Sequence, residues 1–133
     1  MLEQRIENAH GIILQDYNKD LLTDNLIRTS INLAKKYDEI ISVDPKFNNI
    51  ESYYGCDIFK PNKKEAENIS KSKINDEHSL VKAAEIIFDK VNPKYLLITL
   101  AEKGIVLFDA KMGPIFFKAK TRNVTDVSEL VIR

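Results

Sequence analysis

Short apolar runs alternate along the chain with segments whose apolar residues recur every three or four positions. An unbroken apolar run is typical of a strand buried in a parallel sheet, whereas the longer spacing is typical of an amphipathic helix. The runs predict strands at Gly11–Gln15, Glu39–Val43, Asp57–Phe59, Tyr95–Leu100, Gly104–Phe108 and Pro114–Lys118. The spacing predicts the end of a helix at Leu2–Ala9 and further helices at Asp24–Tyr37, Asn62–Ser70 and Asp76–Val91.

This alternation favours an α/β fold with a mostly parallel sheet covered by helices on both faces. The last two strands are separated by a turn at Lys111–Gly113, which suits an antiparallel hairpin near the C-terminus. The chain has 133 residues, enough for one domain with a core but not for two. We therefore expect residues 1–133 to form a single domain.

Composition and charge exclude several classes of protein. The chain has 20 basic and 20 acidic residues, so no overall field attracts it to nucleic acid or to a membrane. The longest apolar run, Tyr95–Ala101, is too short to span a bilayer, and the N-terminus lacks the apolar segment of a signal peptide. The single cysteine, Cys56, excludes an internal disulfide and fits a reducing compartment. These features favour a cytoplasmic protein.

Polar residues follow four of the predicted strands, at Asp16, Asp44, Asn62 and Thr99. Ligands of open α/β sheets bind outside the carboxyl ends of the strands, so these residues mark the expected site.

The pair formed by Asn62 and Glu65 has two interpretations. After Pro61, Asn62 is a good N-cap and Glu65 can complete a capping box. The same helix N-terminus attracts anions, and an amide with a carboxylate beside it can hold a hydrated Mg²⁺ against phosphate oxygens. Sequence context has to decide between the two.

Five motifs provide that context: LQDYNKDLLT at 14–23, VDPK at 43–46, KPNKKEAE at 60–67, LLITLAEKGIVLF at 96–108 and NVTDVSE at 123–129. In this order and at these intervals they resemble the ribokinase/PfkB family of carbohydrate kinases, over nearly the whole chain. Within the family they are most similar to the branch that phosphorylates heptose 7-phosphate in ADP-heptose synthesis. That branch carries D-Y-x-K-G-x-L-T, V-D-P-K, T-P-N-x-x-E and T-x-x-E-x-G.

The resemblance implies a ribokinase-like α/β fold, with ATP as the nucleotide and Mg²⁺ as its metal. The implied nucleotide and phosphate site comprises Asp16, Lys19, Asn62, Glu65, Thr99, Glu102 and Gly104, with Asn62 and Glu65 also serving the metal. Lys46 matches the V-D-P-K lysine, and both it and Lys19 could equally be solvated surface residues. Asp20 replaces a glycine of the branch, and Lys60 replaces the threonine before Pro-Asn.

The family pattern breaks at the C-terminal end of the chain. Family members continue into G-A-G-D, where glycine amides form an anion hole and the aspartate is the general base. Here Glu129, Leu130 and Val131 occupy the positions that need small residues. Ile132 stands at the base position, and an alkyl group cannot accept a proton. The family's sugar-binding half would also precede the first helix, so the resemblance implies a partial domain.

The sequence therefore predicts the nucleotide-binding part of a sugar kinase, which is inactive alone. We expect it to bind a sugar phosphate only together with a complementary N-terminal half. The alternative is a non-catalytic subunit that assembles with a copy of itself or with a partner through an exposed sheet edge. A third reading is an α/β domain without a ligand, whose strand-end polar residues are only caps and turns.

Overall fold

The computed structural model describes residues 2–8, 10–15, 23–45 and 50–118 of the protein. The helices are α1 (Leu2–Glu7), α2 (Asp24–Lys36), α3 (Lys63–Ser70) and α4 (Glu77–Val91). The strands are β1 (Gly11–Gln15), β2 (Ile40–Asp44), β3 (Ile58–Phe59), β4 (Tyr95–Thr99), β5 (Ile105–Asp109) and β6 (Ile115–Phe117). The predicted elements are confirmed to within one or two residues at each end. Within these ranges, no helix has the length and apolar composition needed to cross a membrane.

The six strands form one sheet in which their order in space is the order β1 to β6 along the chain. Strands β1 to β4 are parallel to one another, and β5 and β6 are antiparallel additions at the far edge. The predicted fold class, an α/β sheet that is mostly parallel and ends in an antiparallel hairpin, is confirmed.

Antiparallel pairing is not confined to the β5–β6 hairpin, because β4 and β5 are also antiparallel. Only residues 100–104 separate them. A parallel pairing would need a crossover connection of about a dozen residues or more, so this short link permits only the antiparallel arrangement.

The core lies between the helices and one face of the sheet. Leu14, Val43, Phe59, Leu96 and Phe108 occupy paired positions on five neighbouring strands, and all are buried. The buried apolar residues of α2, α3 and α4 belong to the same cluster, so these helices cover this face. Helix α1 packs on α2, where Glu3 accepts hydrogen bonds from Lys36 and Tyr37.

The opposite face of the sheet, which we call the open face, carries the alternate strand residues. Its apolar residues include Ile13, Ile40, Ile58, Tyr95, Leu97, Leu107 and Ile115. Ile13 is 75% exposed and Tyr95 39% exposed, and no described helix contributes to a core on this side. The second helical layer expected from the sequence is not provided by the described residues and stays a prediction.

Candidate functional site

The site begins at the junction of β3 and α3, where the sequence predicts a helix cap. Asn62 has an extended backbone, and its Oδ1 accepts the Glu65 N–H at 2.7 Å. The Glu65 Oε1 accepts the Asn62 N–H at 2.8 Å, which completes a capping box. Pro61 is fully buried and fixes the entry of the chain into this turn. The capping interpretation of the pair is therefore confirmed.

The end of β4 lies directly beside this cap. The Thr99 N–H donates to the Pro61 carbonyl at 3.1 Å, and Asn62 and Thr99 form a parallel bridge. Two of the polar strand ends predicted to converge are thus neighbours. Asp44 ends β2 on the same edge and accepts a hydrogen bond from Gln15 Nε2 at 3.1 Å, but it does not line the groove described next.

A tight turn follows Thr99 and places the T-x-x-E-x-G residues. The Leu100 N–H donates to the Gly104 carbonyl at 2.7 Å, and the Gly104 N–H donates to the Ala101 carbonyl at 3.0 Å. Gly104 has a backbone φ of 103°, which residues other than glycine rarely adopt. Glycine adopts this conformation without strain, so the turn can pass directly into β5 at Ile105.

The cap and the turn open onto one groove of about 1200 Å³. Four of the sequence-predicted site residues line it, namely Asn62, Thr99, Glu102 and Gly104. Glu65 does not line the groove and is only 7% exposed. The remaining predicted positions, Asp16, Lys19, Lys46 and Ile132, lie outside the described residues, and their roles stay predictions.

Other residues of the groove lie outside the set that the family resemblance implied. They are Lys63, Lys64, Ile74, Asn75, Asp76, Glu77, Leu80, Leu100, Ala101, Lys103, Ile105, Phe116, Phe117 and Lys118. Lys63 and Lys64 belong to a short basic patch that is visible in the sequence beside Asn62. The residues around Asp76 reach the groove only because α3 packs against α4, which no local pattern predicts.

The groove lining contains both apolar and charged side chains. Phe116 and Phe117 are each about half exposed there. Asp76 caps α4 by accepting the Ser79 N–H at 2.7 Å, and this bond lowers the pKa of the Asp76 carboxyl. The described lining therefore combines lysine ammonium groups with carboxylates and exposed aromatic rings.

No group of three or more His, Cys, Asp or Glu side chains in the described part of the chain is arranged to hold a metal ion. The oxygen ligands that Mg²⁺ prefers are nevertheless present in the groove, at Asn62 and Glu102. Because Mg²⁺ usually keeps several waters and relies on one or two carboxylates plus phosphate oxygens, this donor set fits an ion that arrives with a phosphate.

A groove at the carboxyl edge of a mostly parallel sheet, beside a capped helix N-terminus, defines an α/β domain of the kind that binds nucleotides or other phosphorylated ligands. The chain belongs to the pfkB family of carbohydrate kinases, whose model matches residues 4–128. The family recognised in the sequence motifs is thereby confirmed.

Curated relatives include proteins named bifunctional protein HldE. The one from Aliarcobacter butzleri is 40% identical over 84% of this chain, and the one from Pelobacter propionicus is 38% identical over 91%. The matched regions amount to 23% and 25% of those proteins. The chain thus spans about a quarter of the length of the curated relatives it matches.

Solved structures support the ribokinase-like fold. Arabidopsis thaliana ribokinase, complexed with ribose and ATP, matches with a TM-score of 0.75 at 21% identity, over 87% of this chain and 37% of that one. Phosphofructokinase-2 from Escherichia coli, in complex with fructose-6-phosphate, matches with a TM-score of 0.74 at 16% identity, over 91% and 42%. At these identities the likeness establishes the fold alone.

Proposed function

We propose that this chain is the nucleotide-binding part of an ATP-dependent, cytoplasmic sugar kinase that acts on heptose 7-phosphate. One observation supports the proposal most strongly: the same groove is lined by Asn62, Thr99, Glu102 and Gly104. These residues belong to the motifs by which the chain resembles the pfkB family, and the chain is a member of that family. The HldE relatives and the heptose-branch motifs support the choice of sugar. Nucleotide phosphates would lie at the N-terminus of α3, where Lys63 and Lys64 add positive charge.

Magnesium would enter the groove with the nucleotide. Glu102 and Asn62 would hold the ion through oxygen atoms or its water shell. Bound there, Mg²⁺ supplies positive charge that neutralises the phosphate oxygens. The chain's own part is to position the phosphates through the α3 N-terminus and the turn that ends at Gly104.

In this proposal the 133-residue chain alone does not transfer phosphate. Ile132 stands where the family has its general base, and Glu129 would bring negative charge close to the developing phosphoryl charge. The sugar site is proposed to come from a complementary N-terminal half. Incubation of the purified chain with Mg-ATP and heptose 7-phosphate is expected to yield no phosphorylated product, and detectable turnover would contradict this part of the proposal.

Calorimetric titration with Mg-ATP tests the nucleotide site directly. The wild-type chain is expected to bind, and Asn62→Ala is expected to weaken binding about 10- to 100-fold, because a hydrogen bond to a charged group is worth about 1.5–3 kcal/mol. Thr23→Ala is the matched control. It removes the N-cap of α2, whose Oγ1 accepts the Leu26 N–H at 3.2 Å, but leaves the groove intact.

Both variants should lose a similar amount of stability, about 1 kcal/mol, because each removes a helix cap. Only Asn62→Ala should lose affinity for the nucleotide. No binding by the wild-type chain would contradict the nucleotide-site proposal and would leave Asn62 and Glu65 as a helix cap alone.

The open face favours a second candidate function, that of an interaction subunit. Exposed isoleucine and tyrosine side chains line that face, and β1 is an edge strand of the described sheet. Contiguous apolar surface and unpaired sheet edges promote association with another chain. We therefore propose that the isolated chain pairs through this face, with a second copy of itself when no complementary chain is present.

Size-exclusion chromatography with light scattering measures that association. The wild-type chain is expected to exceed its monomer mass of 15.3 kDa at micromolar concentration, and Ile13→Lys is expected to restore the monomer. Met112→Lys is a suitable control, because Met112 is also exposed but lies in the β5–β6 turn, outside the strands that form the open face. A wild-type chain that is already monomeric would rule this candidate out.

A further inference from the structure

The turn between β4 and β5 contains a strained residue that lines the groove. Ala101 has a backbone φ of 53°, in the left-handed region that is unfavourable for residues with a Cβ. Gly104 in the same turn also has a positive φ, but a glycine adopts it without strain. The turn therefore has glycine at one of its positive-φ positions and alanine at the other.

The other non-glycine residues with positive φ in the described part of the chain have a local reason for it. Lys71 and Asn92 end α3 and α4, where a left-handed residue is common. Asp38 is of a residue type whose short polar side chain makes this conformation easier to adopt. Ala101 has neither reason, and backbone strain of this kind is concentrated at ligand sites.

The strained turn also has two unpaired donors at the groove. In the part of the chain that the structure describes, the Ala101 N–H and the Glu102 N–H donate to no acceptor, whereas the N–H groups of residues 100, 103 and 104 are bonded within the turn. Both residues are exposed and line the groove. Successive N–H groups in a turn form a concavity that binds anions, so a phosphate oxygen could supply the missing acceptor.

Packing does not hold Ala101 in its left-handed conformation. No side chain of residues 101–103 is buried, so the shape of these residues depends on the backbone hydrogen bonds of the turn. A segment with few buried contacts opens locally at a small cost in free energy. The strain at Ala101 lowers that cost further.

We propose that Ala101 limits the affinity of the chain for nucleotide, because its strain favours an open turn when no ligand is bound. The inference rests on the proposed function, in which nucleotide phosphates occupy the groove. Phosphates that accept hydrogen bonds from the Ala101 and Glu102 N–H groups bind the closed turn and shift the population toward it. The apparent affinity is then reduced by the fraction of the free chain in which the turn is closed.

Substitutions at Ala101 separate backbone strain from side-chain size. At a positive φ glycine is unstrained, asparagine is tolerated better than alanine, and a β-branched valine is tolerated least. The affinity for Mg-ATP, measured by calorimetric titration, should therefore fall in the order Ala101→Gly, Ala101→Asn, wild type, Ala101→Val. We expect Ala101→Gly to bind about three- to tenfold more tightly than the wild type, and Ala101→Val about tenfold more weakly.

The asparagine variant decides between strain and size. Asparagine is larger than alanine, so an effect of size alone would make Ala101→Asn bind more weakly than the wild type. That order would overturn the inference. Tighter binding by Ala101→Asn would support it, because only the backbone preference of asparagine favours the closed turn.

Lys71 is the matched control, because its φ of 56° is close to that of Ala101 and it does not line the groove. Lys71→Gly should lower the unfolding equilibrium constant in urea about three- to tenfold through the same relief of strain. Its affinity for Mg-ATP should stay within about twofold of the wild type. An equal gain in affinity for Lys71→Gly and Ala101→Gly would show that any stabilisation of the fold improves binding, and would overturn the inference.

The titrations distinguish this inference from the proposed function. If the wild-type chain binds Mg-ATP and Ala101→Gly binds no more tightly, the nucleotide site stands and the role of Ala101 is wrong. If neither the wild-type chain nor any variant of the series binds, the nucleotide-site proposal fails and the inference fails with it.

Discussion

Phe59→Ala is expected to lower the free energy of unfolding by about 3–5 kcal/mol, a typical loss when a large aromatic is removed from a core. Phe59 is fully buried on the central strand β3, and its ring lies 5.9 Å from the ring of Tyr53. It also pairs with Val43 on one side and Leu96 on the other. Domains of this kind have a total stability of about 5–15 kcal/mol, so much of the population could unfold at 25 °C.

Urea unfolding followed by circular dichroism measures this loss. Tyr54→Ala is the control, since Tyr54 is an aromatic five positions away that is 54% exposed and should change stability by no more than about 0.5 kcal/mol. A change of less than about 1 kcal/mol for Phe59→Ala would contradict the packing described for β3.

Cys56 is expected to resist thiol reagents in the folded protein. Burial, together with the nearby Asp57 charge, raises the pKa of the Cys56 thiol from its ordinary value of 9.0 to about 12. The thiolate is the reactive form, so this rise alone lowers the reactive fraction at pH 8 about 1000-fold. Since the side chain is also only 1% exposed, modification should require opening of the core.

Labelling with a chromogenic disulfide reagent at pH 8 tests this expectation. The folded chain should react at least about 1000-fold more slowly than the same chain in concentrated denaturant. Phe59→Ala should react faster than the wild type, because Cys56 and Phe59 belong to the same buried cluster. Fast labelling of the wild-type chain under native conditions would show that Cys56 is not enclosed as described.

The elements of the fold were predictable because each has a local signal. The run GIILQ marks β1, and the Thr23 and Asp76 caps mark the starts of α2 and α4. The antiparallel pairing of β4 with β5 was not predicted, although the short link at residues 100–104 contains the information. The partial exposure of the open face among the described residues depends on which helices cover it, and no strand sequence encodes that.

The site was predictable only in part, for a different reason. Thr99 was expected at the groove because strand ends of an α/β sheet meet at one edge, whereas Gly104 was expected only through the family motif. The N-x-x-E pattern could not assign Glu65, because the same spacing serves a capping box and a metal site alike. Asp76 and Phe117 reach the groove from other elements, and their positions depend on helix and strand packing over long distances in the chain.

The strand order β1 to β6 has a consequence for how the chain is made. Each strand pairs with the one synthesised immediately before it, so the sheet can grow at a single edge as the chain leaves the ribosome. The first three pairings must wait for long connections to close, whereas the two antiparallel pairings at the end are local and fast. The slow steps of assembly are therefore the three parallel pairings that end at β4, and they come before the local addition of β5 and β6.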